Sequence, residues 1–297
     1  MATQAQAAAT ARVNPLFAAD PRFTARKVGD GVATALVTAS ALIAIAILLL
    51  ILVDVIVQGL PALNVAFFTE APRPPGEPGG GVAPAILGTL IMVAVGSLIG
   101  VPVGVATGIY LSEVDTGAFG EAISFIVDLV AGLPSIVIGV FVWGWLVRNV
   151  VGNYNGLAGG VALAIIMIPI ITRTVEETLR IVPDALREAS LALGVPRWKT
   201  ILSVVLPTAR AGVITGVVLS LARAGGETAP LLLTALGNNF FSVDLLQPMA
   251  SLPVNIYNYA RSPYADWQTQ AWGGALVLIV LIGLLSAATR WAVGGRR

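Results

Sequence analysis

Charged side chains interrupt several long apolar stretches of this chain, and charge at such positions indicates candidate functional sites. Arg173 and Glu176 are three positions apart, and Arg223 and Glu227 are four apart, so each pair would share one face of a helix. Asp128 stands within another apolar run. A guanidinium keeps its charge when desolvated and can hold an oxyanion through two parallel hydrogen bonds. A nearby carboxylate would offset the arginine in an empty path and weaken anion binding enough for release.

Each of these charges also has a structural interpretation. A charge at bilayer depth costs at least about 2.5–3.5 kcal/mol on insertion scales, so a functional role is the default hypothesis. Arg173 and Glu176 are candidates for a substrate path, with a structural ion pair or an anchor at the inner interface as alternatives. For Asp128 a structural role is favoured, including a pair with Arg173. For Arg223 and Glu227 the path and the structural pair have equal support.

The residues that are missing exclude several kinds of chemistry. The sequence has no His and no Cys, which removes the commonest general base, the commonest metal ligand and all thiol chemistry. Its lysines are Lys27 and Lys199, and no Gly-x-x-x-x-Gly-Lys-Ser/Thr motif is present. We therefore expect no catalytic residue, metal site or cofactor in this chain, and any ATP must be hydrolysed by a partner.

The elements that must position these charges are membrane helices. Hydrophobic residues make up 57% of the chain and charged residues 11%, against about 25% charged in soluble domains. Spanning a bilayer takes roughly 20 apolar residues, and six stretches reach that length. The predicted spans are about Val32–Val57, Ala83–Leu111, Glu121–Val147, Leu157–Leu179, Ile201–Ala222 and Ala271–Val293. The sequence thus predicts an all-α membrane protein with six transmembrane helices.

Smaller features surround these spans. Residues 1–29 are predicted to be a mobile basic tail, and residues 30–297 the transmembrane domain. A short interfacial helix is expected around Leu63–Phe68. The segment Ala229–Leu236 is apolar enough to lie in the membrane, with a re-entrant arrangement left open. The run Gly132-Leu-Pro134-Ser135 predicts a kink in the third span, because proline interrupts helical hydrogen bonding.

The distribution of Lys and Arg predicts the orientation, since cytoplasmic loops carry more of them. With both termini inside, the cytoplasmic segments hold Arg12, Arg22, Arg26, Lys27, Arg180, Arg187, Arg197, Lys199, Arg290, Arg296 and Arg297. The outer loops hold Arg73, Arg148 and Arg261. The loop Ser112–Gly120 falls on the cytoplasmic side yet carries no Lys or Arg, which is the weak point of this orientation.

A charged segment with Gly and Pro at its ends separates the fourth and fifth spans. Residues 185–193 are predicted to form a short helix, with Asp184 near its N-terminus, where a carboxylate complements the helix dipole. Gly194 and Pro196 are expected to end it. From physical chemistry alone, an interfacial helix lying on lipid headgroups and a docking surface for another protein have equal support.

The spacing within this segment resembles the EAA loop of ABC importer permeases. The run Glu188-Ala189-Ser190-x3-Gly194-x9-Val204-x-Leu206-Pro207 follows the family pattern Glu-Ala-Ala-x3-Gly-x9-Ile-x-Leu-Pro, with Ser190 for Ala and Val204 for Ile. The resemblance implies that residues 184–207 form a coupling loop seated in a cleft of an ATPase subunit. It also implies the type I importer (MetI-like) architecture.

Three further stretches narrow the family. Residues 128–139, 173–183 and 222–231, together with the coupling loop, resemble the PstA permeases of phosphate importers over about residues 30–295. The resemblance implies an inner-membrane location and a phosphate path shared with a homologous PstC-like permease. It further implies a PstB-like ATPase dimer that binds ATP and Mg, and a PstS-like extracytoplasmic phosphate-binding protein.

Two other functions remain open at this point. An ABC permease for another oxyanion or small solute would share the coupling loop. A secondary transporter driven by an ion gradient would predict paired inverted repeats, and it would give no reason for the spacing within residues 184–207. A membrane enzyme is disfavoured because the chain lacks His and Cys.

Overall fold

The computed structural model describes residues 21–77, 79–114 and 117–294, and every regular element within these ranges is helical. The helices are α1 (Pro21–Gly59), α2 (Val65–Thr69), α3 (Ala83–Glu113), α4 (Gly117–Gly132), α5 (Ser135–Val142), α6 (Gly156–Arg180), α7 (Asp184–Ala192), α8 (Arg197–Thr200), α9 (Leu206–Gly225), α10 (Ala229–Thr234), α11 (Leu252–Ala260) and α12 (Ala265–Gly294). Two π-helical segments, Trp143–Val151 and Ile201–Val205, extend α5 and join α8 to α9. The predicted all-α fold is confirmed.

Contacts divide the chain into two units, residues 1–54 and 55–297. The described part of the first unit is one apolar stretch of α1, in which Leu36, Leu42 and Leu50 are exposed. A helix that is apolar all round suits a membrane span. The helix extends beyond the predicted span Val32–Val57 at both ends. Residues 1–20 of the predicted tail lie outside the described residues, and residues 21–29 belong to α1.

In the second unit, α3 and α6 pack closely side by side and run in the same direction. A Cβ built on Gly96 would lie 3.1 Å from the Gly160 oxygen, and one on Gly108 would lie 2.7 Å from Cβ of Val175. Both positions advance together along the two helices, so the helices are parallel. Small residues spaced four apart let membrane helices approach closely, and the core residues Met167, Ile171 and Val175 of α6 are fully buried beside α3.

The parallel packing of α3 and α6 determines how α4 and α5 cross the membrane. Helices α4 and α5 meet at an angle of 104°, at a break over Leu133 and Pro134. Because α3 and α6 both run from the same end of the bundle, the chain between them must cross back to its starting side. The bent pair α4–α5 therefore forms one broken span, which brings the candidate spans among the described residues to six. The predicted kink at Gly132–Ser135 is a full break.

The fifth span is also interrupted at membrane depth. Gly216 of α9 lies against Thr174 of α6, with a built Cβ 2.6 Å from Cβ of Thr174, and Gly212 lies against Thr178. Helix α9 therefore runs antiparallel to α6 and reaches the level of the middle of α6 at its C-terminus. The chain continues through a non-helical turn into α10. Irregular backbone at this depth is tolerated where it is buried in protein or lines a cavity.

Helix α10 completes the fifth span. The Thr234 carbonyl, in its last turn, accepts a hydrogen bond of 2.9 Å from the Asn155 backbone N–H, which lies just before α6 begins. The segment therefore reaches the far end of the bundle, so Ala229–Leu236 continues the fifth span and does not turn back as a re-entrant segment would. The two ends of the second unit are called below the Arg180 end, where α6 ends, and the Asn155 end, where α6 begins.

Two other predicted elements have close counterparts in the structure. The predicted interfacial helix Leu63–Phe68 corresponds to α2, whose N-terminus is capped by the Asn64 side chain accepting a 2.9 Å hydrogen bond from the Phe67 N–H. The last span starts earlier than the predicted Ala271, because α12 begins at Ala265. Both elements pack in a second apolar cluster around the buried Phe67.

Candidate substrate path and coupling surface

Arg173 of α6 is the centre of a network of hydrogen bonds within the membrane span. Its Nε and Nη2 atoms lie 2.8 Å and 2.7 Å from Oδ1 of Asp128, and its Nη1 donates a 2.6 Å hydrogen bond to Oε2 of Glu176. Nη2 also donates to the carbonyl and the hydroxyl of Ser124, at 2.9 Å and 2.7 Å. The predicted pairing of Asp128 with Arg173 is confirmed, and this arginine joins α6 to α4.

The buried carboxylate of Glu176 holds two arginines. Its side chain is 6% exposed, and Oε1 accepts a 2.7 Å hydrogen bond from Nη2 of Arg180 while Oε2 accepts from Arg173. Burial of a carboxylate between two guanidiniums satisfies its charge. Glu177 is exposed on the other side of the helix. Glu176 is therefore the residue that connects Arg173 with Arg180.

Arg223 and Glu227 lie at the interruption of the fifth span. Nε of Arg223 is 3.5 Å from Oε1 of Glu227, and their side chains are 57% and 14% exposed. The apolar run that stops at Ala222 predicts that Arg223 lies at the end of the fifth span. The structure instead places it beside the middle of α6, because α9 starts beyond the end of α6 and runs antiparallel to it.

A cavity of about 110 Å³ brings Arg223 to the break in the third span. Its lining includes Ala131 of α4, Ser135 of α5 and Pro169 of α6. Arg173 contacts the same helix α4 at Ser124 and Asp128, closer to the Arg180 end. The two arginines therefore follow one another along α4, and the two charged pairs identified separately in the sequence lie on one route through the span.

Each of the two charged pairs has one side chain that is exposed on the surface of this chain. The side chain of Asp128 is 65% exposed and that of Arg223 is 57% exposed. Charged side chains at this depth face a bundle interior or a water-filled cavity, and contact with lipid tails is costly. The surface formed by α4 and the end of α9 therefore suits a water-filled path bounded by another protein chain.

Helix α7, with the segment that follows it, forms a separate surface at the Arg180 end. Asp184 stands in its first turn, as predicted, and Gly194 has φ +76° just after its end. The left-handed conformation suits glycine and terminates the helix. Glu188 and Ala189, which begin the Glu-Ala-Ala pattern, are exposed, so these two positions face outward and are accessible to a partner.

Three other predicted coupling positions, Ser190, Leu206 and Pro207, lie within the helical structure of this segment. Ser190 is buried, and its hydroxyl lies 2.9 Å from the hydroxyl of Thr200 in α8. The serine that replaces alanine in the family pattern thus ties α7 to α8. Leu206 and Pro207 directly follow the π-helical segment Ile201–Val205, within a continuous helical run from Arg197 to Gly225.

Sequence reasoning missed a residue that secures α7. Arg187 donates hydrogen bonds from Nη2 to Oε1 of Glu113 at 2.6 Å and from Nε to Oε2 at 3.1 Å. Hydrogen bonding to Glu113 is the main cause that raises the pKa of Arg187 above its ordinary value, with desolvation acting against it. The contact places the end of α3 at the same end of the bundle as α7, as the predicted succession of spans requires. The two residues are 74 positions apart, and no local spacing signals such a pair.

A second missed feature was visible in the sequence. Gly96, Gly100, Gly104 and Gly108 recur every fourth residue in the second span, and all four face α6. The small-x-x-x-small pattern predicts close helix packing in membranes.

In the described part of the chain, no three His, Cys, Asp or Glu side chains come together in a way that could hold a metal ion.

Comparisons with known proteins agree with this architecture. Residues 100–294 match the family described as binding-protein-dependent transport system inner membrane component. Among solved structures, the inward-facing MetNI methionine ABC transporter aligns with a TM-score of 0.57 and 24% identity, covering 72% of this chain and 94% of that chain. A bacterial alginate ABC transporter in complex with a pentasaccharide-bound periplasmic protein aligns with a TM-score of 0.61 and 14% identity, covering 89% and 93%. These two likenesses concern the fold.

Sequence relatives are more specific. The phosphate transport system permease protein PstA of Yersinia pestis is 41% identical over 266 residues, covering 89% of this chain and 90% of the relative. PstA 1 of Mycobacterium tuberculosis strain H37Rv is 38% identical over 267 residues, covering 89% and 87%. The chain therefore belongs to the family of binding-protein-dependent transport system inner membrane components and, within it, to the PstA permeases.

Proposed function

We propose that this chain is one of two homologous permease subunits that enclose the path for inorganic phosphate in an ATP-driven importer. The observation that carries the proposal is the Arg173 guanidinium, held inside a membrane span with one edge facing the exposed Asp128. Membership of the PstA permeases makes phosphate the expected anion. The exposed charges of α4 and α9 would then face the second permease across the path.

The contacts of Arg173 indicate how an anion would bind and leave. Glu176 is buried and stays on Nη1, so it keeps the guanidinium in place. Asp128 is exposed and occupies the Nε and Nη2 edge, which is the edge that a phosphate would take through two parallel hydrogen bonds. Phosphate binding therefore requires Asp128 to move away, and the return of Asp128 expels the anion. Such competition keeps the site weak enough for release.

Arg223 would form a second anion-binding site along the path. It lies farther from the Arg180 end than Arg173 and pairs with Glu227 at 3.5 Å, a longer and looser contact than those of Arg173. An anion arriving from the Asn155 end meets Arg223 first and Arg173 second. Two weak sites in sequence allow an ion to enter and leave without a trap.

The partners follow from the orientation and the coupling loop. We assign the Arg180 end to the cytoplasm, because Lys and Arg are concentrated in the loops at that end and at both termini. Helix α7 then docks in a PstB-like ATPase dimer, which binds ATP and Mg and carries out hydrolysis. A PstC-like permease pairs with this chain. A PstS-like protein delivers phosphate at the Asn155 end, at the outer face of the inner membrane.

Substitution of Arg173 in the complete importer tests the proposal. We expect Arg173→Gln to reduce uptake of labelled phosphate at least tenfold while the complex still assembles and binds ATP. The matched control is Arg148→Gln, which removes an exposed arginine near the Asn155 end and should leave uptake unchanged. Excess sulfate should not compete with phosphate. Normal uptake by Arg173→Gln, or uptake that excess phosphate does not inhibit, would exclude the proposed path.

A further inference from the structure

We propose that Glu113 is the positioning residue that passes movement of the coupling helix α7 to the membrane helix α3. The inference rests on the proposed function only in taking α7 as the surface that the ATPase moves. The feature that motivates it is a buried ionic junction at the Arg180 end, which joins the end of α3 to the consecutive helices α6, α7 and α8.

Glu113 is the last residue of α3 and holds both sides of the coupling segment. Its side chain is 5% exposed, and both carboxylate oxygens accept hydrogen bonds from Arg187 of α7. Its backbone carbonyl accepts a hydrogen bond from Nη2 of Arg197, the first residue of α8. A bidentate carboxylate–guanidinium pair fixes orientation as well as distance, so the end of α3 is held to α7 in a defined geometry.

Arg187 has no spare donor with which to form another arrangement. Besides the two bonds to Glu113, Nη2 donates to the Leu179 carbonyl at 2.9 Å, and Nη1 donates to the Val182 carbonyl and to Oδ1 of Asp184 at 3.1 Å. All five guanidinium N–H groups are therefore in use. The carbonyls belong to the end of α6 and the turn after it, so one side chain joins α3, α6 and α7.

A junction of this kind transmits displacement because separating its members is unfavourable. Moving α7 away from α3 would leave a buried carboxylate without its partner, which costs far more than the loss of an exposed pair. Moving α7 together with α3 and α6 keeps every bond. The raised pKa of Arg187 keeps its charge at any working pH, so the junction persists during transport. ATPase closure on α7 therefore moves the parallel pair α3–α6 as one body.

The amount of phosphate moved per ATP hydrolysed tests this role. In the complete importer reconstituted in vesicles with its binding protein, we expect Glu113→Gln to keep the ATPase bound and binding-protein-stimulated hydrolysis within twofold of the parent. Phosphate moved per ATP should fall at least fivefold. Glu113→Asp retains the charge and should recover most of the ratio. Glu177→Gln, which removes an exposed carboxylate at the same end, is the matched control and should leave the ratio unchanged.

The outcomes separate this inference from the proposed function. A parent-like ratio in Glu113→Gln would overturn the positioning role while phosphate transport stands. Loss of the ATPase from the purified variant would also overturn it, since Glu113 would then serve docking. A proportionate fall of hydrolysis and uptake would indicate a structural role alone and contradict the proposal. Absence of phosphate uptake by the parent complex would instead refute the proposed function.

Discussion

Nε and Nη2 of Arg173 both lie within 2.8 Å of Oδ1 of Asp128, so a carboxylate already occupies the edge of the guanidinium that a phosphate would need. The pair links α6 to α4, and its acidic member is 65% exposed. An exposed ion pair is worth about 0.2–1 kcal/mol. The competition between Asp128 and an anion is therefore mild, as a transport site requires.

Removing the charge of Asp128 should make the site retain phosphate. Asp128→Asn leaves the shape of the side chain but eliminates the competing charge. From a pair worth about 0.2–1 kcal/mol, we expect phosphate affinity to rise by up to about fivefold. Equilibrium binding of labelled phosphate to the purified two-permease complex measures this. Asp266→Asn, at an exposed position in the first turn of α12, is the control. Weaker phosphate binding by Asp128→Asn would contradict the competition.

Reversing the charge of Glu188 should prevent docking of the ATPase. Glu188 is exposed on α7 and stands at the acidic position of the coupling pattern, so Glu188→Arg changes the docking surface without disturbing the core. We expect the variant to reach the membrane at the normal level and to lose co-purification of the ATPase at least tenfold. Asp244→Arg, at an exposed site near the Asn155 end, should retain it. Normal phosphate uptake by Glu188→Arg would refute the docking role.

A larger side chain at Gly108 should destabilise the α3–α6 pair. A Cβ there would lie 2.7 Å from Cβ of Val175 and 2.8 Å from the Thr172 carbonyl, and overpacking of this kind costs about 1–3 kcal/mol. We expect Gly108→Val to lower the temperature of thermal unfolding in detergent by several degrees. Gly283→Val is the matched helical control, because nothing lies within 4 Å of its built Cβ. Equal unfolding temperatures for the two variants would argue against tight packing here.

The hydrogen bond between Ser190 and Thr200 should stabilise the coupling segment. Thr200 is 2% exposed, and a buried hydroxyl that loses its partner costs about 1–3 kcal/mol. We expect Ser190→Ala to increase hydrogen exchange in α7 and α8. The double variant Ser190→Ala/Thr200→Val, which removes both hydroxyls, should restore protection toward that of the parent. A double variant less protected than Ser190→Ala would show that the hydroxyls do not act as a pair.

Local sequence signals were sufficient for the helices and for charged pairs on one helix. Apolar length predicts the spans because bilayer thickness sets it, and α3 and α6 match their predicted spans to within two residues. The spacing of Arg173 and Glu176 predicts their 2.6 Å contact because residues three apart face one another on a helix. The ends of α7 follow from Asp184 and Gly194, whose preferences are local.

Features that depend on packing between helices were not predictable in the same way. The pair formed by Glu113 and Arg187 joins positions 74 apart. From the sequence alone, Glu113 falls in a loop and Arg187 on a short helix, with nothing to connect them. The depth of Arg223 in the membrane depends on the offset between α9 and α6 along their axes. The contacts of Gly212 with Thr178 and of Gly216 with Thr174 set this offset. Apolar length gives the number of residues in a span but not its vertical offset.

The close glycine-lined packing of α3 against α6 has a mechanical consequence for transport. Helices α3 and α6 cannot slide or separate and would move as one rigid body. Conformational change must therefore occur in the third and fifth spans, whose helices are interrupted. Those interruptions lie at Leu133-Pro134 and at residues 226–228. The first borders the cavity that Arg223 also lines, and the second follows Arg223 closely in the chain. The interruptions thus lie at the depth of the proposed Arg223 site, and rotation of the α3–α6 pair would open one side of that site while closing the other.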